Sequence, residues 1–188
     1  SASRAYNRGM DATRGDILVF AHQDLYLPAG WLERLSTEIG AIERTDPNWG
    51  VLGLWGVDVQ GQYAGWTYSS GLGRTLGGPQ PSPRPVRTLD EVLLVIRRAS
   101  GLRFDEALPS FHMYGTDLCL TAESRGLQNY ALSCFALHNS NGIRQLPWAF
   151  WSACWFVRQK WRRALPIHAP CTTVGRWPFG TLRQMLVR

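Results

Sequence analysis

The sequence predicts an α/β domain: a mixed, mostly parallel sheet flanked by helices and followed by a C-terminal helix rich in tryptophan and basic residues. Three observations predict it. Segments with apolar residues at helical spacing alternate with short apolar runs, the pattern of strands joined through helices. One such run, residues 17–20, is wholly apolar and lies between two helical segments, as a buried strand of a parallel sheet does. The chain has 188 residues, 45% hydrophobic and only 18% charged, which suits one packed unit and excludes a disordered tail.

The elements follow in order. Residues 1–14 read as a helix with Ala2, Ala5, Tyr6, Gly9 and Met10 on one face. Gly15 and Asp16 end it, residues 17–20 form the buried strand, and residues 21–27 are the loop at its carboxyl end. Pro28 opens a second helix over residues 28–44, with Trp31, Leu32, Leu35, Ile39 and Ile42 as its apolar stripe. Residues 49–59 are strand-like and interrupted by Gly50, Gly53 and Gly56, where a backbone or ligand approaches closely. Residues 61–84 are rich in Gly, Ser and Pro and read as a hairpin plus a long loop. Residues 89–97 form a strand. A helix over 114–125 is stopped by Gly126. Residues 129–138 form one strand in which Tyr130, Leu132, Cys134 and Ala136 alternate with their neighbours. Residues 147–163 form the tryptophan-rich helix, its aromatics on one side, and 166–188 an irregular tail ending in a helical turn or two. The chain thus divides into a core over 1–145 and a helical extension over 146–188.

Net charge is +6, which favours anionic partners. The basic end is the C-terminal third, with Arg158, Lys160, Arg162 and Arg163 and no acidic residue after Glu123. No nucleic-acid motif accompanies the charge, so a nucleic-acid partner is not expected. Cys119, Cys134, Cys154 and Cys171 form no CxxC pair. The first three lie in apolar runs and read as small buried hydrophobes, reduced in a cytoplasmic protein. The first ten residues are polar and unlike a signal peptide, and no apolar run approaches the ~20 residues that span a bilayer.

Three groups of residues can carry chemistry. The apolar strand runs straight into His22-Gln23-Asp24, and ligands of open α/β sheets bind beyond strand carboxyl ends. His22 and Asp24 can share a divalent cation there, which would neutralise a diphosphate leaving group. The alternative is that Asp24 caps the helix opening at Pro28 and His22 lies at the surface. Asp117 falls in the first turn of a helix, where it can face a cleft as a general base or serve, with Thr116, as a plain cap. His138 follows an alternating strand and is either a third ligand or a structural histidine.

The order of these groups resembles the GT-A glycosyltransferases, and within them the family 2-like inverting enzymes. Ser3-Arg4-Ala5-Tyr6-Asn7-Arg8-Gly9 and residues 15–20 look like the helix and strand before that family's metal motif. His22-Gln23-Asp24 stands where the family has Asp-X-Asp, with His22 replacing the first acid. Residues 28–32 look like the start of the following helix, and residues 101–106 like the stretch leading to the acceptor site. Tyr114-Gly115-Thr116-Asp117 stands at the family's Glu-Asp, with Thr116 replacing Glu, and His138 where many members place a third metal ligand.

The resemblance covers roughly residues 1–140. It implies a partial GT-A-like fold that lacks the family's first, nucleotide-binding strands, so that either the chain is a fragment or those elements come from elsewhere. It implies transfer of a sugar from a UDP- or GDP-linked donor to a saccharide or lipid-linked acceptor, with inversion and a manganese or magnesium ion. Asp117 would be the base, and Asp24, His22 and His138 the metal ligands. Asn7 and Arg8, with Asp24, would approach the donor. Trp55, Trp66 and Tyr68 would shape the acceptor groove, since aromatic faces stack on sugars, or would simply pack the core. A bacterial role in polysaccharide synthesis also follows from the resemblance. A glycan- or nucleotide-binding module that keeps the fold without turnover is the rival. The 147–163 helix, combining Trp with Arg, is expected either to meet a membrane surface, placing the enzyme at the inner face of the membrane, or to pack on the sheet or on a partner subunit in self-association.

Overall fold

The structure, a computed structural model, describes residues 1–140 and 146–176. The chain opens with α1 (Ala2–Ala12), β1 (Ile17–Ala21), β2 (Leu25–Tyr26) and α2 (Trp31–Glu43). Seven short strands follow: β3 (Val51–Gly53), β4 (Trp55–Val57), β5 (Tyr63–Ser69), β6 (Arg74–Gly77), β7 (Arg84–Val86), β8 (Thr88–Leu89) and β9 (Leu93–Arg97). Then come α3 (Tyr114–Ser124), β10 (Asn129–Ala131), β11 (Ala136–His138), α4 (Trp148–Lys160), β12 (Ile167–Ala169) and β13 (Thr172–Val174).

The α/β class holds, but the sheets are mostly antiparallel, which corrects the expected parallel arrangement. One sheet runs β1-β9-β3-β10-β7 and the second β2-β11-β5-β4-β8, with β6 also on β5. Only two of the ten ladders among the described residues, β3 with β10 and β5 with β11, are parallel. Strand β1 shows why the expectation fails. It is an edge strand paired antiparallel to β9, not a buried parallel one. Leu18 and Phe20 face inward, where Phe20 meets Tyr6 of α1 with ring centroids 5.0 Å apart. Ile17 and Val19 point outward and are exposed. An apolar run says nothing about its partner's direction, and here only one face is covered.

Strand β9 lies inside the sheet between β1 and β3, and its apolar run over residues 93–96 has a reason. Leu93 and Val95 face a core containing Trp31, Leu35 and Ile42 of α2. Leu94 and Ile96, on the opposite face by strand alternation, join a second core with Leu118 and Leu120 of α3 and Val157 of α4. Both faces are covered, so Leu93 through Ile96 are all apolar, and only Arg97 at the end of the strand is not.

Three segments read as single strands are each divided between the sheets, among them 89–97, where Leu89 ends β8 in the second sheet and Leu93 begins β9 in the first. Residues 51–53 lie in the first sheet and 55–57 in the second, with Leu54 fully buried at the crossing. Residues 129–131 and 136–138 divide likewise, and Leu132 N–H binds Gly53 O at 2.8 Å across the bend. The close approach read from the glycines is to a backbone carbonyl at Gly53 and Gly56, and to side chains of Asn129 and Ala122 at Gly50. A Cβ at Gly56 would lie 2.7 Å from the Thr88 carbonyl oxygen. The hairpin in 61–84 is β5 and β6, and Gly126 ends α3 at φ +76°, as a left-handed stop requires.

Helix α4 buries Phe150, Trp151, Ala153, Cys154 and Val157 in the same core as α1 and α3. Its aromatics therefore divide between two sides, since Trp148 and Trp155 face out. Beyond it, the expected irregular tail begins with the β12–β13 hairpin, anchored where the Thr88 hydroxyl donates to His168 O at 2.7 Å. The final helical turns expected there fall in 177–188, outside the described residues. Cys119, Cys134 and Cys154 are buried free thiols, and Cys171 is exposed. No helix among the described residues is long and apolar enough to cross a membrane.

Candidate functional site

Three elements bring His22, Asp24 and His138 together. His22 leaves the end of β1 with its N–H on Val92 O at 3.0 Å, and Leu25 N–H closes the turn onto His22 O at 3.3 Å. Strand β2 then pairs with β11, placing His138 opposite Leu25, and Asn139 N–H binds Asp24 O at 2.9 Å. One ligand atom from each of the three side chains lies within 4.8 Å of the others. His138 Nε2 is 3.4 Å and His22 Nδ1 4.0 Å from the same oxygen, Asp24 Oδ1.

That oxygen is buried and has no hydrogen-bond partner. A buried unpaired carboxylate oxygen is costly unless something positive meets it. The tautomer of His22 points the same way. Tyr114 donates its hydroxyl proton to Glu91 O at 3.2 Å, and His22 Nε2 lies 3.1 Å from the same hydroxyl. In the tautomer where the phenol proton goes to Glu91 O, Nε2–H donates to the Tyr114 oxygen and the Nδ1 lone pair is free toward Asp24 for an ion. Burial lowers the His22 pKa, which keeps the ring neutral and able to ligate. Two imidazoles and a carboxylate fit a first-row divalent ion such as manganese better than magnesium, which prefers oxygen.

The cluster stands where two cavities meet. One, of about 580 Å³, is lined by Tyr6, His22, Asp24, Glu91, Phe111 and Phe150 among others. The second, of about 540 Å³, is lined by Trp55, Tyr63, Ser69, Arg74, Leu76 and His138 among others. Asp90 and Cys171 line both.

Of the residues expected at an acceptor groove, Trp55 lines the second cavity, stacked on Tyr63 at 5.2 Å and 12°. Trp66 and Tyr68 do not. Strand alternation turns Tyr63, Thr67 and Ser69 to the cavity and Trp66 and Tyr68 away from it, with Trp66 against Phe135 at 5.0 Å. Asn7 is buried and its amide is occupied. It bonds both the N–H and the carbonyl of Phe104, at 3.1 and 2.9 Å, and Glu106 Oε1 at 3.0 Å, so it braces a loop. Arg8 is exposed on α1 and lines neither cavity.

Asp117 does lie in the first turn of α3, but it is 2% exposed and outside both cavities. Trp161 Nε1–H donates to its Oδ1 at 2.7 Å and Lys160 Nζ to its Oδ2 at 2.9 Å. Burial raises its pKa, against the opposing pull of Lys160 and Trp161. Asp90 is the further acid whose charge acts on His22, and its neighbour Glu91 lines the same cavity as His22. Burial first, then the charge of Asp90, pushes the Glu91 pKa up to about 8, while amides of the α3 N-terminus pull the other way. Sequence reasoning missed Asp90 and Glu91, although an acidic pair between two apolar strands was a visible signal. Lys160 and Trp161 had no such signal, lying more than forty residues from Asp117.

No family model matches the sequence. A protein of Fuscovulum blasticum described as "ATP synthase subunits region ORF 6" is 33% identical over 174 residues, spanning 89% of this chain and 68% of that protein. The chain belongs to the ORF 6 family. The description of that relative names a gene region and no reaction, so the chemistry of the ORF 6 family is read from the cluster itself.

Proposed function

We propose that the chain carries the metal-dependent active site of an inverting GT-A-type glycosyltransferase, acting on a UDP- or GDP-linked sugar and a saccharide or lipid-linked acceptor. The observation that carries this reading is the buried, unpartnered Asp24 Oδ1 facing two imidazoles at the junction of two cavities. His22, Asp24 and His138 would hold manganese, whose charge stabilises a diphosphate leaving group. The paired cavities give donor and acceptor one place each, and the Trp55–Tyr63 stack offers an aromatic face to a sugar ring.

Asp117 is the acceptor of the hydroxyl proton in this reading, which requires Lys160 and Trp161 to release it toward a cavity, since it lies outside both in this structure. Lys160 keeps its carboxylate ionised, and burial strengthens it as a base. A second reading, a glycan- or nucleotide-binding module without turnover, is favoured by one observation: both Asp117 oxygens are occupied and the residue is buried.

Calorimetric titration of UDP and of GDP, with and without manganese, tests the proposal. Binding that needs manganese and disappears in Asp24→Ala supports it. Nucleotide binding indifferent to manganese, or none at all, overturns it. Sugar transfer abolished by Asp117→Asn then separates the enzyme from the binding module.

A further inference from the structure

The outer side of α4 carries apolar surface with no partner. Trp148 is 77% and Trp155 49% exposed. They are seven residues apart, two helical turns, and so share one side of the helix. Phe111, 66% exposed, joins them. Its neighbour Ser110 donates to Ala149 O at 3.2 Å and accepts from Ala2 N–H at 3.0 Å. At the other end the Arg158 guanidinium lies 5.2 Å over the Trp155 ring. Arg162 and Arg163 follow, exposed and with no ion pair among the described residues, whereas Lys160 is committed to Asp105 and Asp117.

We infer that this face, Trp148, Trp155 and Phe111 flanked by Arg162 and Arg163, docks on an anionic lipid bilayer. Tryptophan beside unpaired arginine is the composition of an interfacial surface, with rings at headgroup level and cations on lipid phosphates. The charge argues for lipid over a second copy of the chain. A two-fold contact through this face would set the same arginines against each other, and no acidic residue follows Glu123 to offset them. Phe111 and Phe150 also line the cavity that holds His22 and Asp24, so that cavity opens beside the docking face. Resting on the glycosyltransferase reading, this makes the acceptor a lipid-linked one that enters from the bilayer surface.

Vesicle flotation of the chain tests the docking with neither metal nor nucleotide present, so its failure is separate from that of the proposed reaction. Vesicles of phosphatidylcholine alone are compared with vesicles containing phosphatidylglycerol. Binding is expected to the anionic vesicles only, weakened roughly tenfold or more in Trp148→Ser/Trp155→Ser and in Arg162→Glu/Arg163→Glu. All four positions are exposed or partly so, and far-ultraviolet circular dichroism checks that the variants fold. Absence of binding at low salt, or binding by both double variants as strong as the parent's, overturns the inference. So does a dimer in sedimentation velocity that the tryptophan variant dissociates.

Discussion

The ammonium of Lys160, at the end of α4, lies 2.9 Å from Oδ2 of Asp117 in the first turn of α3, and 2.7 Å from Asp105. This contact pins the C-terminal helix to the core through a carboxylate that is almost fully buried. Removing the cation leaves that charge held by the Trp161 indole alone. Breaking a buried pair from one side costs about 3–5 kcal/mol, less where one partner reaches water as Lys160 does. Lys160→Met is expected to destabilise by roughly 2–3 kcal/mol in urea unfolding, with much of the loss recovered in Lys160→Met/Asp117→Asn. Strictly additive losses would mean the two groups are not coupled.

Asp24→Asn removes the charge of a half-buried carboxylate whose Oδ1 is buried without a hydrogen-bond partner, while keeping its shape. The metal-free variant should melt at or above the temperature of the parent, because the unpaired charge is gone. Manganese should raise the melting temperature of the parent and leave the variant unmoved. A variant that still responds to manganese would place the ion elsewhere.

Tyr114 touches His22 but is not itself a ligand in the cluster. Tyr114→Phe frees His22 Nε2–H from its acceptor and lets the ring rotate or change tautomer. Manganese affinity is expected to fall about 10–100-fold, the usual cost of losing a partner that orients a ligating histidine. Unchanged affinity would show that the ring is held by packing alone.

Glu91 gives a pH signature. Its carboxyl pKa is 4.5 ordinarily and about 8 in the fold, raised first by burial. Between those values the folded state holds a proton that the unfolded state has lost. The contribution is therefore full at acid pH and declines as pH rises through about 8. Urea midpoints should fall between about pH 5 and pH 8, and Glu91→Gln should flatten that slope. A variant with the parent's slope would assign the effect to Asp117, whose pKa burial also raises.

The helices were legible because each carries its own evidence: apolar spacing, Pro28 near the start of α2, Gly126 at the end of α3. His22, Asp24 and His138 were legible too, since each stands at the end of a short strand. What sequence could not supply was pairing. Whether β1 runs parallel or antiparallel to its neighbour depends on β9, over seventy residues away. The alternation of β5 was readable, but its cavity side is decided by the neighbouring elements, which turn Tyr63 in and Trp66 out. The environment of Asp117 was hidden for the same reason, because Lys160 and Trp161 reach it from another helix.

The crossings at Leu54 and at residues 132–135 act as a pair of straps. Each segment is fixed in both sheets, and the straps lie side by side through the two parallel ladders, β3 with β10 and β5 with β11. Neither sheet can tilt against the other without bending both straps together. His138 sits at the far end of one of them, while His22 leaves β1 in the other sheet, so the separation of the two histidines is geared to the angle between the sheets. A packing change at buried Leu54 or Cys134, neither of which belongs to the cluster, would therefore be felt as a change in its bite.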